Sequence, residues 1–96
     1  MKIVYIDRAR EELDAAVAWY ESKRKGLGFE FLDSVEEALK RLLMFPELCA
    51  VCYDNFRRCV IKRFPYSIFY TLENQDIVIH AVFNSRCNPD DRPFEI

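Results

Sequence analysis

The sequence predicts an α+β domain: an N-terminal strand, an antiparallel two-helix hairpin, then an antiparallel β-meander forming a small twisted sheet. Three observations predict it. Apolar residues recur at helical spacing between positions 13 and 45, the period changes to two from position 50, and the only two glycines fall together between the two helical stretches. A helical hairpin offers one apolar stripe and a sheet one apolar face, so laying the first on the second buries both.

The elements follow in order. "KIVYI" at the N-terminus alternates well enough to form a short first strand. Asp7 then offers an N-cap carboxylate for a helix over residues 8–24, where Leu13, Ala16, Val17 and Tyr20 share one stripe while Glu11, Glu12, Asp14, Lys23 and Arg24 fall largely off it. Gly26 and Gly28, in "KGLG", supply the positive φ that ends one helix and turns the chain. In the second helix Phe31, Leu32, Val35, Ala38, Leu39, Leu42 and Phe45 mark the apolar face, and Pro46 stops it because its nitrogen cannot donate to the preceding turn. "AVCY", "RRCVIKRF", "SIFYTLE" and "DIVIHAVFN" follow as strands, separated by turns at Asp54-Asn55, Phe64-Pro65 and Asn74-Gln75.

Composition narrows the function. Ninety-six residues, 51% apolar and 15% aromatic, make one domain over residues 1–96 that folds along nearly its whole length. The net charge of −2 argues against a nucleic-acid coat held by bulk electrostatics, so an anionic partner must be met by a local patch. No stretch approaches the roughly 18 apolar residues of a membrane span, and the N-terminus turns charged too soon for a signal peptide. The expected compartment is the cytoplasm, where Cys49, Cys52, Cys59 and Cys87 remain thiols. Cys49 and Cys52 form a C-x-x-C, but no second pair completes a tetrahedral zinc site; no metal or other cofactor is expected.

The chemistry-bearing residues cluster in "RRCVIKRFPYSIFY". If residues 57–64 are one strand, Arg58, Val60 and Lys62 face one way and Arg57, Cys59, Ile61 and Arg63 the other. The helices cover one sheet face, so Arg58 and Lys62 collect on the open one, with Tyr66 beside them and Arg86 just beyond the last strand. Two readings fit this surface: a docking site for phosphates or an acidic protein segment, or a solvated strand face whose charges discourage edge pairing.

The wording of "AVAWYESKRKGLGFEFLDSVEEALKRLLMFPEL", and more specifically of "KRFPYSIFY" within "RRCVIKRFPYSIFYTLENQDIVIHAVFNSRCNP", resembles the ParE and RelE superfamily of bacterial toxin–antitoxin toxins over nearly the whole chain. The resemblance implies a growth-inhibiting toxin of the plasmid-stabilisation type, held inactive by a cognate antitoxin and touching operator DNA only through it. RelE-like members cut messenger RNA on the ribosome; ParE-like members block DNA gyrase and are not hydrolases. A nuclease needs a base, a cation for the developing dianion and an acid. Arg58 and Arg86 match two basic positions of that set, and Lys62, Tyr66 and, less directly, His80 complete what a nuclease reading could use. But Val60 stands where a second lysine is expected, Ser67 stands where the nucleases carry a phosphate-clamping arginine, and the tail "NPDDRPFEI" has no tyrosine. The resemblance is therefore ParE-like rather than RelE-like, and a non-enzymatic gyrase inhibitor is the expectation. The alternatives are a ribosome-dependent endoribonuclease, or an inactive homologue that serves only as antitoxin partner and co-repressor.

On this reading Arg58, Lys62, Arg63, Tyr66 and Arg86 meet the target, and Trp19, Tyr20, Arg57 and Arg58 meet the antitoxin. His80, in the apolar run "DIVIHAVF" and sharing a face with Val78 and Val82, reads as a sheet histidine bonded to a neighbour. Trp19 and Tyr20 read as core, or as the wall of a groove for an antitoxin helix.

Overall fold

The computed structural model describes residues 1–85. Strand β1 (Ile3–Tyr5) leads into helix α1 (Asp7–Lys23) and helix α2 (Leu27–Met44), followed by β2 (Val51–Tyr53), β3 (Phe56–Val60), β4 (Tyr66–Glu73) and β5 (Asp76–Asn84). The five strands form one sheet in the order β1-β5-β4-β3-β2. The last four run as an antiparallel meander, and β1 adds to β5 in parallel, with Ile3, Val4 and Tyr5 opposite Ile77, Val78 and Ile79. Both helices lie on one side of this mixed sheet.

The core forms where the helical stripes meet the inward positions of the strands. Ala9, Leu13, Ala16 and Tyr20 of α1, Phe31, Val35, Ala38 and Leu42 of α2, and Ile68, Tyr70, Ile77 and Ile79 of the sheet are buried together. The Phe31 ring sits about 5 Å, centroid to centroid, from those of Tyr20, Phe64 and Tyr66, in tilted or edge-on contacts. Tyr70, fully buried, turns its hydroxyl to donate to the Pro46 carbonyl at 2.9 Å; burial, then the nearby Cys49 thiol, pushes its pKa up to about 12 against smaller lowering by a backbone hydrogen bond at Cys49 and by Arg57.

The hairpin turn is held by one side chain. Gly26, the N-cap of α2 at φ 87°, has no side chain to cap the helix. Glu21 of α1 takes that part, accepting from the Gly26 amide with one carboxylate oxygen and from the Gly28 amide with the other, each at 2.9 Å. A Cβ on Gly28 would lie 2.7 Å from the Val17 carbonyl oxygen, a backbone atom that cannot swing aside. Gly28→Ala is thus expected to pry the helices apart at a cost of about 1–3 kcal/mol, read as a lowered urea midpoint; an unchanged midpoint contradicts this packing.

Three local expectations are corrected. Asp7 is the first residue of α1 rather than its cap: the N-cap is Ile6, and no side chain caps that end. Phe45, read as the last residue of the α2 stripe, is the C-cap and is 60% exposed, because the turn into Pro46 carries it off the helix face. And β3 stops at Val60 instead of running to residue 64, since Arg63 takes a left-handed φ of 72° that no strand continues through.

Candidate functional site

The sheet register defines the open face. Cross-strand partners share a face, so Arg58, Phe69 and Ala81 form one row and Val60, Ser67 and Phe83 the next. Arg58 donates from Nε to the Ser67 hydroxyl at 3.0 Å, and Ser67 in turn exchanges a 3.0 Å hydrogen bond with Ser85. Ser67 is buried and Arg58 exposed, so the serine pair fixes the foot of a guanidinium whose remaining donors face outward. Val60 beside it is 61% exposed, and Lys62 follows in the turn.

A bulge shapes the far half of this face. Phe69 pairs with Ala81 but Tyr70 pairs with Ile79, leaving His80 as an extra residue in β5. His80 therefore faces outward with Val78, while Val82 joins the core; the alternation that put His80 and Val82 together breaks at that residue. His80 Nε2 lies 2.8 Å from the Thr71 hydroxyl and 3.4 Å from a Glu73 carboxylate oxygen, and its ring meets Phe56 edge-on. Thr71 also donates to Glu73, and that hydrogen bond, then the imidazole beside it, holds the Glu73 carboxyl below its ordinary pKa. The expected bonded sheet histidine is present.

Tyr66 is not on this face. Ser67, its neighbour, takes the place beside Arg58, and Tyr66 turns to the helix side, 5.9 Å from the Tyr20 ring. There it helps line a groove of roughly 500 Å³ between α1 and β5, whose walls are Glu12, Ala15, Ala16 and Trp19 on one side and Val82, Phe83 and Asn84 on the other. The four α1 residues lie at i, i+3, i+4 and i+7, one face of a helix, and the two alanines leave the space. Beyond Tyr5, β1 no longer covers β5. The Val82 amide there donates to the Glu12 carboxylate at 3.0 Å, a side chain standing where a neighbouring strand's carbonyl would be. Trp19, 54% exposed, forms the rim, and Lys23 Nζ sits 4.8 Å above its ring. Tyr20, by contrast, is buried core.

Arg57 and Arg63 are placed by structural bonds. Arg57, half-buried on the helix side, donates from Nη1 to the carbonyls of Cys49 (2.8 Å) and Glu47 (3.4 Å), pinning the loop between α2 and β2. That use gives Arg57 a structural role in the fold. Arg63, swung out by its left-handed backbone, reaches α2, where its Nη2 lies 2.8 Å from Glu30 Oε1, while Arg24 Nη2 lies 2.9 Å from Glu30 Oε2. These two guanidiniums, Arg63 first, hold the Glu30 carboxyl below its ordinary value of 4.5. A depressed folded-state pKa gives stability that is present above the ordinary value and lost as pH falls through the folded one. The melting temperature of Glu30→Gln is accordingly expected to lie below that of the parent at neutral pH and to converge with it in acid. A gap of constant size down to about pH 3 contradicts the assignment.

Cys49 is half-buried against the core, and Cys52 is exposed with its thiol donating to the Phe56 carbonyl. Burial, then the nearby Cys49 thiol, pushes Cys59 up to about 12. Arg86, with the rest of the tail, lies outside the described residues. The site roles of Glu30, Glu12, the Ala15-Ala16 pair and the Thr71–Glu73 couple went unread in the sequence. The alanines beside Trp19 in "AAVAWY" were the available signal, a small-residue gap in an otherwise bulky stripe.

The chain is thus an α+β domain whose helices cover one sheet face, whose other face carries an anchored arginine and whose helix–sheet seam opens into a groove beside Trp19. Residues 3–89 match the family described as ParE toxin of type II toxin-antitoxin system, parDE, and the chain belongs to that family. A solved structure titled "Chromosomal ParDE TA system from P. aeruginosa" has the same fold: TM-score 0.73 at 19% identity, covering 88% of this chain and 95% of that one. No curated protein sequence shows significant similarity to the chain.

Proposed function

We propose that this toxin arrests growth by binding DNA gyrase through the open sheet face around Arg58, and that a cognate antitoxin silences it from the groove between α1 and β5. What carries the reading is the company Arg58 keeps. A messenger-RNA nuclease needs proton donors and acceptors around the cation that holds the phosphate. Among the described residues Arg58 donates to the Ser67 hydroxyl, which is itself bonded to Ser85, and has Val60 and Phe69 beside it. His80, the one imidazole, is turned to Thr71 and Glu73. A fixed guanidinium among apolar side chains is suited to a protein surface, where arginine and aromatic anchors supply most of the binding energy.

The groove supports the second half. It has one helical wall, one β-edge wall and the exposed Trp19 ring, which suits an amphipathic segment or an added strand. Trp19 remains an antitoxin residue and Tyr66 joins it. Arg58 and Lys62 remain target residues, with Arg86 proposed beside them from the sequence. Contact with operator DNA runs through the antitoxin, and the cytoplasm is where both partners meet; among the described residues no helix is long and apolar enough to cross a membrane.

The test is a supercoiling assay with purified gyrase and this protein. Inhibition that is relieved by the polypeptide encoded beside it is expected. Undisturbed supercoiling, with transcripts cut only on translating ribosomes, overturns the proposal.

A further inference from the structure

The groove does not end at Trp19. Lys23 lies over the Trp19 ring, and Arg24, next in the chain, meets Arg63 at the Glu30 carboxylate. Lys25 and Lys62 flank the two arginines in sequence and are exposed. Five cations thus gather at the hairpin corner against two carboxylates, Glu21 and Glu30, in a chain whose net charge is −2. Glu21 is spent on the α2 amides, and Glu30 gives one oxygen to each arginine, which leaves most guanidinium donors unused. Packing does not call for this concentration: Lys25 and Lys62 make no hydrogen bond or ion pair among the described residues.

We infer that the hairpin corner is the second half of the groove's docking surface, and that it receives a run of acidic residues directly following the apolar segment the groove holds. This rests on the antitoxin reading and adds the chemistry of its partner. Continuity carries it, because Trp19 is both the groove's rim and the corner's first member. Glu30 shows the recognition within the chain itself, a carboxylate split between two arginines that stay over half exposed. A polypeptide is favoured over a nucleic-acid backbone by the groove's lining: a strand of phosphates leaving the corner would run into the Glu12 carboxylate and an apolar wall.

The test uses three fluorescein-labelled probes on the whole protein: a peptide with a valine–leucine run followed by glutamates, the same peptide ending in glutamines, and an oligothymidylate of similar length. The glutamate peptide is expected to bind at least about tenfold more tightly than the glutamine one, an advantage lost at high salt and in the double variant Lys25→Glu, Lys62→Glu. Neither substitution touches the Glu30 bridges, and circular dichroism checks that the variant folds. Equal affinity for the two peptides, including no binding of either, overturns the inference, as does tighter binding of the oligothymidylate. The antitoxin reading fails by a separate result, growth arrest that the neighbouring polypeptide does not relieve.

Discussion

Phe31→Ala is expected to lower the unfolding free energy by about 3–5 kcal/mol, measured by urea denaturation. Phe31 is completely buried, and its ring meets Tyr20 of α1, Phe64 of the turn after β3 and Tyr66 at the start of β4. Removing it strips one contact from each part of the fold at a single point, and those neighbours are held by rings and backbone that cannot collapse into the gap. A domain of this size has on the order of 5–15 kcal/mol in total, so the variant should be partly unfolded at growth temperature. Phe31→Leu, which refills most of the volume, should recover more than half of the loss. A loss below about 1 kcal/mol for the alanine variant contradicts the packing described.

Arg58→Glu is expected to abolish growth arrest with little loss of stability. Its one side-chain bond within the described protein is to Ser67, a contact of about 1 kcal/mol, whereas an arginine anchor at a protein interface is worth about 2 kcal/mol or more, roughly thirtyfold in affinity. Reversal adds repulsion to that loss. Lys62→Glu, which disturbs no described bond, should weaken the arrest in the same direction but by less, since a lysine in a turn is the less fixed contact. Full toxicity in both folded variants would remove the open face from the target site.

The parts of the fold read correctly from the sequence are those set by local period. The two helical stripes, a positive-φ turn at Gly26 and the meander with its Asp54 and Asn74-Gln75 turns all depend on residues within a few positions of each other, and they stand as predicted, although α1 ends at an extended Arg24 rather than at a glycine and Gly28 lies inside α2. What was missed depends on distant pairings or on single backbone angles. The parallel docking of β1 on β5 joins segments more than seventy residues apart. Strict alternation placed Arg63 on the inward face and His80 with Val82, but a left-handed residue ends the first strand and a bulge resets the second; neither leaves a mark in the side-chain pattern. Tyr66 went to the wrong face for the related reason that β4 begins after that irregular turn.

The site was legible to a similar extent. Arg58 and Lys62 stand exposed as expected, because the helices cover only one face and a charge on the other costs nothing to solvate. Arg57 read as equally free, yet its long side chain reaches the carbonyls of the loop after α2, a use that no local pattern announces. The groove was foreseen only through Trp19. Its other wall is β5, and nothing in "AAVAWY" says which strand edge will lie beside those alanines.

The central proposal is that this toxin acts against gyrase through a non-enzymatic face. Pulse-labelling DNA and protein synthesis in bacteria, minutes after this chain is induced without its antitoxin, tests that most directly. DNA synthesis should fall first while protein synthesis continues, and Arg58→Glu should leave both intact. An early fall in protein synthesis, with DNA synthesis sustained, would contradict it and move the target to the ribosome.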